Sequence, residues 1–131
     1  MKIIKIIIER NDDGFWGHSE SENCITGGGE TVQECKQDVL DCIETLRMLD
    51  DVNKPSFLNE AFDLVYKFDA ESFLSYYKGV FTNSAFEKMT GINRKQIQHY
   101  ASGHRKPKET TSKKIEAALH NLGRELLAVE L

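Results

Sequence analysis

Hydrophobic and polar residues along the chain fall into three patterns in succession. Residues 2–9 are Ile-rich, and Ile3, Ile4, Ile6, Ile7 and Ile8 do not alternate with polar neighbours. β-branched residues suit a pleated strand, and a strand apolar on both faces belongs in the middle of a sheet. Asn11-Asp12-Asp13-Gly14 supplies a turn, and Phe15-Trp16-Gly17-His18 resumes an aromatic strand. A short Cys24-Ile25-Thr26 segment gives a third strand, followed by Gly27-Gly28-Gly29, which reads as a flexible loop.

From Thr31 the period changes from two to 3.6. Thr31-Val32-Gln33-Glu34 is a capping box. Val32, Cys35, Val39, Cys42, Leu46 and Leu49 form one helical face, widened by Leu40 and Ile43, with Glu34, Asp38, Asp41 and Glu44 on the other side. A connector around Pro55 follows. Alternating Phe62, Leu64, Tyr66 and Phe68 then predict a fourth strand that returns to the first sheet. Asp69 is placed to cap a helix through Phe73, Leu74 and Tyr77, ended by Gly79.

From Thr82 onward the chain is helical. Ser84-Ala85-Phe86-Glu87 reads as a second capping box, opening a short helix with Phe86 and Met89 inward. Gly91 stands where a tight inter-helix turn needs positive φ, Ile92 plugs that turn, and Asn93 caps a helix from Arg94 to Ser102. Ile97, Tyr100 and Ala101 face inward. Arg94, Lys95, Gln98 and Ser102 face outward, with His99 on the flank. Gly103 and Pro107 end the helix. Ile115, Ala118, Leu119 and Leu122 mark a last helix. Residues 125–131 bring five more apolar side chains that pack in the second module or against a second subunit, as helix or as strand.

Charge sharpens the division. The 131 residues carry a formal −4. Residues 1–53 hold five bases and twelve acids, whereas residues 88–114 hold eight bases and one acid. Only the basic stretch has the density for a polyanion partner. A short helix backed by another, with Arg, Lys, Asn and Gln outward, is what reading base edges in the major groove requires. Asn93, Arg94, Lys95, Gln98 and His99 are therefore candidate base contacts. Arg105, Lys106 and Lys108 are placed to hold phosphates.

Other chemistries find little footing. Cys24, Cys35 and Cys42 form no CxxC pair, so neither zinc nor a disulfide framework is expected. Gly27-Gly28-Gly29 lacks a following Lys-Ser/Thr and is flanked by Glu22, Glu30 and Glu34, which would repel a phosphate. His18, His99, His104 and His120 show no ligand spacing. No cofactor and no metal are expected. No run approaches the ~20 apolar residues of a membrane span. The Ile-rich start, interrupted by Lys5 and lacking a small-residue cleavage site, is not read as a secretion signal, so the cytoplasm is the expected compartment.

Two stretches resemble known families. Thr90-Gly91-Ile92-Asn93-Arg94 and Tyr100-Ala101-Ser102-Gly103-His104-Arg105-Lys106-Pro107 look like the helix-turn-helix of phage-repressor-like regulators. The Gly-Phe-Trp strand, glycine-rich segment and Thr-x-x-Glu helix of residues 14–49 look like the N-terminal domain of HicB-family antitoxins. Together they cover nearly the whole chain. The sequence departs from these patterns at Glu87, where a small residue is usual, and at Ser21-Glu22-Asn23-Cys24, which lacks a Pro-Gly.

The resemblance implies an α+β protein. Residues 1–69 would be a β-β-β-α-β partial ribonuclease-H-like domain without catalysis, and residues 70–131 an all-α helix-turn-helix domain. It further implies a non-enzymatic antitoxin and homo-oligomer (dimer or tetramer) that blocks a small basic HicA-type mRNA-cleaving toxin and represses its own operon by binding operator DNA. The toxin-facing candidates are then Trp16 and His18 on the second strand, Glu20 and Glu22 in the loop, and Glu34, Asp38 and Asp41 on the helix. The alternative is a stand-alone helix-turn-helix regulator with a ligand-sensing first domain. A metal-dependent nuclease is a distant third, because the first strand carries Lys2 and Lys5 and an acid only at Glu9. The neighbouring reading frame separates these: a short basic protein with one candidate catalytic His favours the antitoxin.

Overall fold

A computed structural model describes residues 1–131 and divides them into two compact units, Met1–Asp69 and Ala70–Leu131. The protein is α+β, with a four-stranded mixed sheet and five α-helices.

In the first unit the strands are β1 (Lys2–Asn11), β2 (Gly14–Ser19), β3 (Thr26–Gly29) and β4 (Phe62–Phe68), ordered β3-β2-β1-β4. β1 pairs antiparallel with β2 and parallel with β4, so the Ile-rich strand is central as its composition predicts. Its two faces differ. Ile4, Ile6 and Ile8 are fully buried, whereas Ile3 is 64% exposed.

Helix α1 (Val32–Arg47) is capped by the Thr31 hydroxyl, which accepts the Glu34 N–H at 3.1 Å. It packs over β2 and β3. Val32, Cys35, Val39 and Ile43 are its buried side chains. Cys42 is only half-buried, and Leu40 and Leu49 are exposed, so the buried stripe turns through Ile43. Phe57, from a short 3-10 turn at Ser56–Asn59, completes this core.

Two expectations are corrected here. The third strand is Thr26–Gly29, not Cys24–Thr26, and the three glycines are ladder residues paired with β2, not a flexible loop. The cause is a close approach. A Cβ on Gly27 would lie 2.7 Å from the backbone nitrogen of Val39, and one on Gly29 would lie 2.7 Å from that of Cys35. Glycine lets α1 settle directly onto the strand.

The second unit comprises α2 (Ala70–Tyr76), α3 (Asn83–Thr90), α4 (Arg94–Ala101) and α5 (Glu109–Leu127). Leu74, Phe86, Ile97 and Tyr100 form its buried centre, flanked by Phe73, Phe81, Ile92, Ala101 and Leu119. The cap of α3 is also corrected. Thr82, not Ser84, is the N-cap, its hydroxyl accepting the Ala85 N–H at 3.0 Å. The helix thus starts earlier, and Glu87 falls in its second turn instead of closing a capping box.

Helix α5 runs through Leu127, so residues 125–127 of the C-terminal segment extend the helix, and no strand forms in residues 128–131. Only Ile115 of this helix is buried. Leu126, Leu127, Val129 and Leu131 are exposed. No helix is long and apolar enough to cross a membrane.

Candidate nucleic-acid interface

The turn between α3 and α4 is built as its residue types require. Gly91 takes φ +76°, the left-handed region, and its N–H bonds the Glu87 carbonyl at 2.8 Å. Buried Thr90 turns its hydroxyl to the Phe86 carbonyl at 2.6 Å and accepts the Ile92 N–H at 3.1 Å. The Asn93 side chain then accepts the Lys95 N–H at 2.8 Å, capping α4.

Ile97 and Tyr100 anchor α4 inward, and Arg94, Lys95 and Gln98 are exposed. Gly103, at φ +78°, closes the helix, and the Arg105 N–H folds back to the His99 carbonyl at 3.2 Å. This brings the basic segment 104–108 onto the end of α4, with Arg105, Lys106 and Lys108 exposed. His104 stacks at a tilt on His99, ring centroids 4.9 Å apart, and His99 Nδ1 is buried without a hydrogen-bond partner. His99 therefore serves packing as much as any surface.

The outward residues are not free-standing. Helix α3 holds two of them. Asn83 donates from Nδ2 to Gln98 Oε1 at 2.7 Å. Glu87 accepts the backbone N–H of Arg94 at 2.5 Å through one oxygen and the Arg94 guanidinium at 3.3 Å through the other. These contacts hold the Glu87 carboxyl below the usual carboxylate range, chiefly through the Arg94 backbone N–H. Neither Asn83 nor Glu87 was among the candidates drawn from sequence. The available signal was the acid itself, standing seven residues before Arg94 where a small side chain is usual.

In the first unit the candidates divide between separate places. Gly17 faces α1, so its neighbours Trp16 and His18 point from the opposite face of the sheet. There Trp16 is 42% exposed and stacks on His18, while Phe15 packs in the core. The helical acids lie on α1, across the sheet, and each has a local partner. Asp38 accepts the Gly28 N–H at 2.9 Å, covering the edge of β3. Glu34 accepts the Glu30 N–H at 3.0 Å, and Asp41 the Gln37 amide at 3.0 Å. Glu22 pairs with Lys2 at 3.0 Å, and Glu20 is exposed. The structure thus does not bring these seven residues together on one surface.

No group of three or more His, Cys, Asp or Glu is placed to hold a metal ion. Burial pushes the Cys35 thiol up, so it sits in the core as a protonated apolar side chain. A shallow depression of about 330 Å³ beside the β1–β2 turn is lined by Asp13 and Glu30 among others, with no Lys or Arg in its wall.

No protein-family model, curated protein or solved structure matches the chain.

Proposed function

We propose that the second unit is a helix-turn-helix DNA-binding domain and that the whole chain is a HicB-like antitoxin, repressing its own operon through that domain. The observation that carries this reading is the α3–Gly91–α4 arrangement. A capped eight-residue helix presents Arg94, Lys95 and Gln98 to solvent, backed by α3 and followed by exposed Arg105, Lys106 and Lys108. With Oε1 held by Asn83, Gln98 has its amide N–H groups to donate to a base edge.

The first unit is the toxin-binding half of this reading, as a partial ribonuclease-H-like domain without catalysis. Its support is an excess of acids over bases and an exposed, aromatic sheet face around Trp16. An RNA-cleaving toxin binds a polyanion and so presents basic surface, which an acidic protein attracts and competes for. The Trp16 face supplies apolar area, and Glu9, its cross-strand partner, Asp12, Asp13 and Glu20 are exposed acids near it in sequence or across the sheet.

Self-association belongs to the same proposal. On α5, Leu122 and Leu126 continue the stripe begun by Ile115 and Leu119, yet Leu126 is exposed, as is Val129 just past the helix end. Gly123 lies beside them with nothing within 4 Å of a Cβ, a costly residue inside a helix unless another backbone comes close. A second copy of α5 meets both conditions.

The test is titration of the full chain with the product of the adjacent short reading frame and, separately, with duplex DNA from upstream of its own gene. Tight binding of both is expected. DNA binding without binding of the neighbouring protein would favour a stand-alone regulator, and failure of both would end the proposal.

A further inference from the structure

We infer that Glu87 is a specificity-determining positioning residue: its carboxylate acts as an internal counter-anion that holds Arg94 away from DNA until a cognate base edge replaces it. The inference rests on the DNA-binding reading above and adds a residue which that reading does not use.

The starting point is the supply of donors at the first turn of α4. Asn93 takes the Lys95 N–H through its side chain, and the Asn93 carbonyl takes the N–H groups of Gln96 and Ile97, each at 3.0 Å. The first N–H, that of Arg94, goes to Glu87 at 2.5 Å. The start of α4 is thus satisfied before any phosphate arrives. One carboxylate on the neighbouring helix occupies the anion position and also engages the guanidinium.

The pair is solvent-accessible, with the Arg94 side chain 61% and the Glu87 side chain 32% exposed. Water screens it, so it can be exchanged. What replaces it decides the outcome. A guanine edge offers the Arg94 guanidinium two acceptors in fork geometry where Glu87 Oε1 offers it one, and leaves the backbone N–H bond to Glu87 in place. A lone phosphate on unrelated DNA must compete with the carboxylate already in place, and it approaches a negative charge to do so. The penalty therefore falls mainly on backbone-only binding. Glu87 weakens non-specific affinity more than specific affinity and widens the ratio between them, which is the quantity that selects a site in a genome.

The position has another consequence. A small side chain there would leave Arg94 loose and its backbone N–H open to solvent or phosphate. The acid converts a general anion site into one that is already filled.

The experiment compares the full chain with E87Q, R94A and the E87Q/R94A double variant. The probes are a duplex from upstream of its own gene and a scrambled duplex of equal length, at several salt concentrations. The amide introduced by E87Q keeps an oxygen for the Arg94 N–H but loses the charge, and α4 amide resonances check that the helix is kept. E87Q is expected to bind the scrambled duplex about threefold to tenfold more tightly. Its log K against log salt slope should steepen by up to about 0.9 as Arg94 gains a phosphate. Specific affinity should move less, so the specificity ratio narrows. In the R94A background the E87Q change should have no effect, which separates positioning of Arg94 from a general charge effect.

An unchanged specificity ratio in E87Q, or the same gain with and without Arg94, overturns the inference while leaving DNA binding intact. If the parent binds neither duplex, the DNA-binding reading fails, and the inference falls with it.

Discussion

Gly27 and Val39 are pressed together so closely that a Cβ on the glycine would sit 2.7 Å from the valine's backbone nitrogen. The atom in the way is main chain, so it cannot rotate aside. Gly27→Ala should therefore lift α1 from the sheet and cost about 1–3 kcal/mol. Gly28, the next residue, would meet only the Phe15 carbonyl oxygen, at an ordinary 3.5 Å. Gly28→Ala should change stability by less than about 1 kcal/mol. Denaturant unfolding followed by the fluorescence of Trp16, the sole tryptophan, distinguishes the two; equal effects would contradict the close packing of α1 on β3.

A second prediction concerns acid. Arg94 holds the Glu87 carboxyl below its ordinary 4.5. A carboxylate with a depressed folded-state pKa stabilises the fold fully above the unfolded-state value, and that contribution disappears as pH falls through the folded-state value. The α3–α4 pair should thus lose stability as pH drops below about 4.5, and E87Q should flatten that part of the profile. Thermal melting of α4 amide resonances from pH 6 to pH 2 measures it. Identical acid limbs in parent and variant would show that the pair contributes nothing.

A third prediction separates base reading from phosphate holding. Arg94→Ala should cost about 1–3 kcal/mol on upstream DNA and relax specificity at one or two positions. Lys106→Ala should weaken all sequences alike and make the salt slope shallower by about 0.9. Fluorescence anisotropy on both duplexes gives affinity and slope. Parent-like behaviour of both variants would show that this face does not contact DNA.

Much of the fold was legible because its signals are local. The Thr31 cap and the apolar spacing after it place α1, alternation places β4, and Gly91 with Asn93 places the inter-helix turn. The misread parts depend on distant partners. Glycine is a poor strand former, and the reason for Gly27 and Gly29 lies in the backbone of α1, at Val39 and at Cys35. Ser84-x-x-Glu87 has the form of a capping box, but the Glu87 carboxylate finds Arg94 across the turn while Thr82 provides the cap. The acids of α1 looked like a free charged face. The Gln37–Asp41 bond is an i,i+4 pair that helical spacing allows, but the bonds of Asp38 to Gly28 and of Glu34 to Glu30 reach outside the helix and could not be read from it. Charge segregation, in contrast, is a property of the chain alone, and it separates an acidic first half from a basic stretch in the second.

In the function proposed above, one chain neutralises a toxin through residues 1–69 and represses its operon through residues 70–131. The most direct measurement follows growth rescue and promoter-reporter output in the same cells. The full chain and its R94A/K106A variant are each supplied from an unrelated promoter beside the reading frame proposed to encode the toxin. The parent is expected to rescue growth and silence the reporter, and the variant to rescue growth but leave the reporter on. A parent that fails to rescue, or a variant that loses rescue and repression together while remaining folded, would contradict the claim.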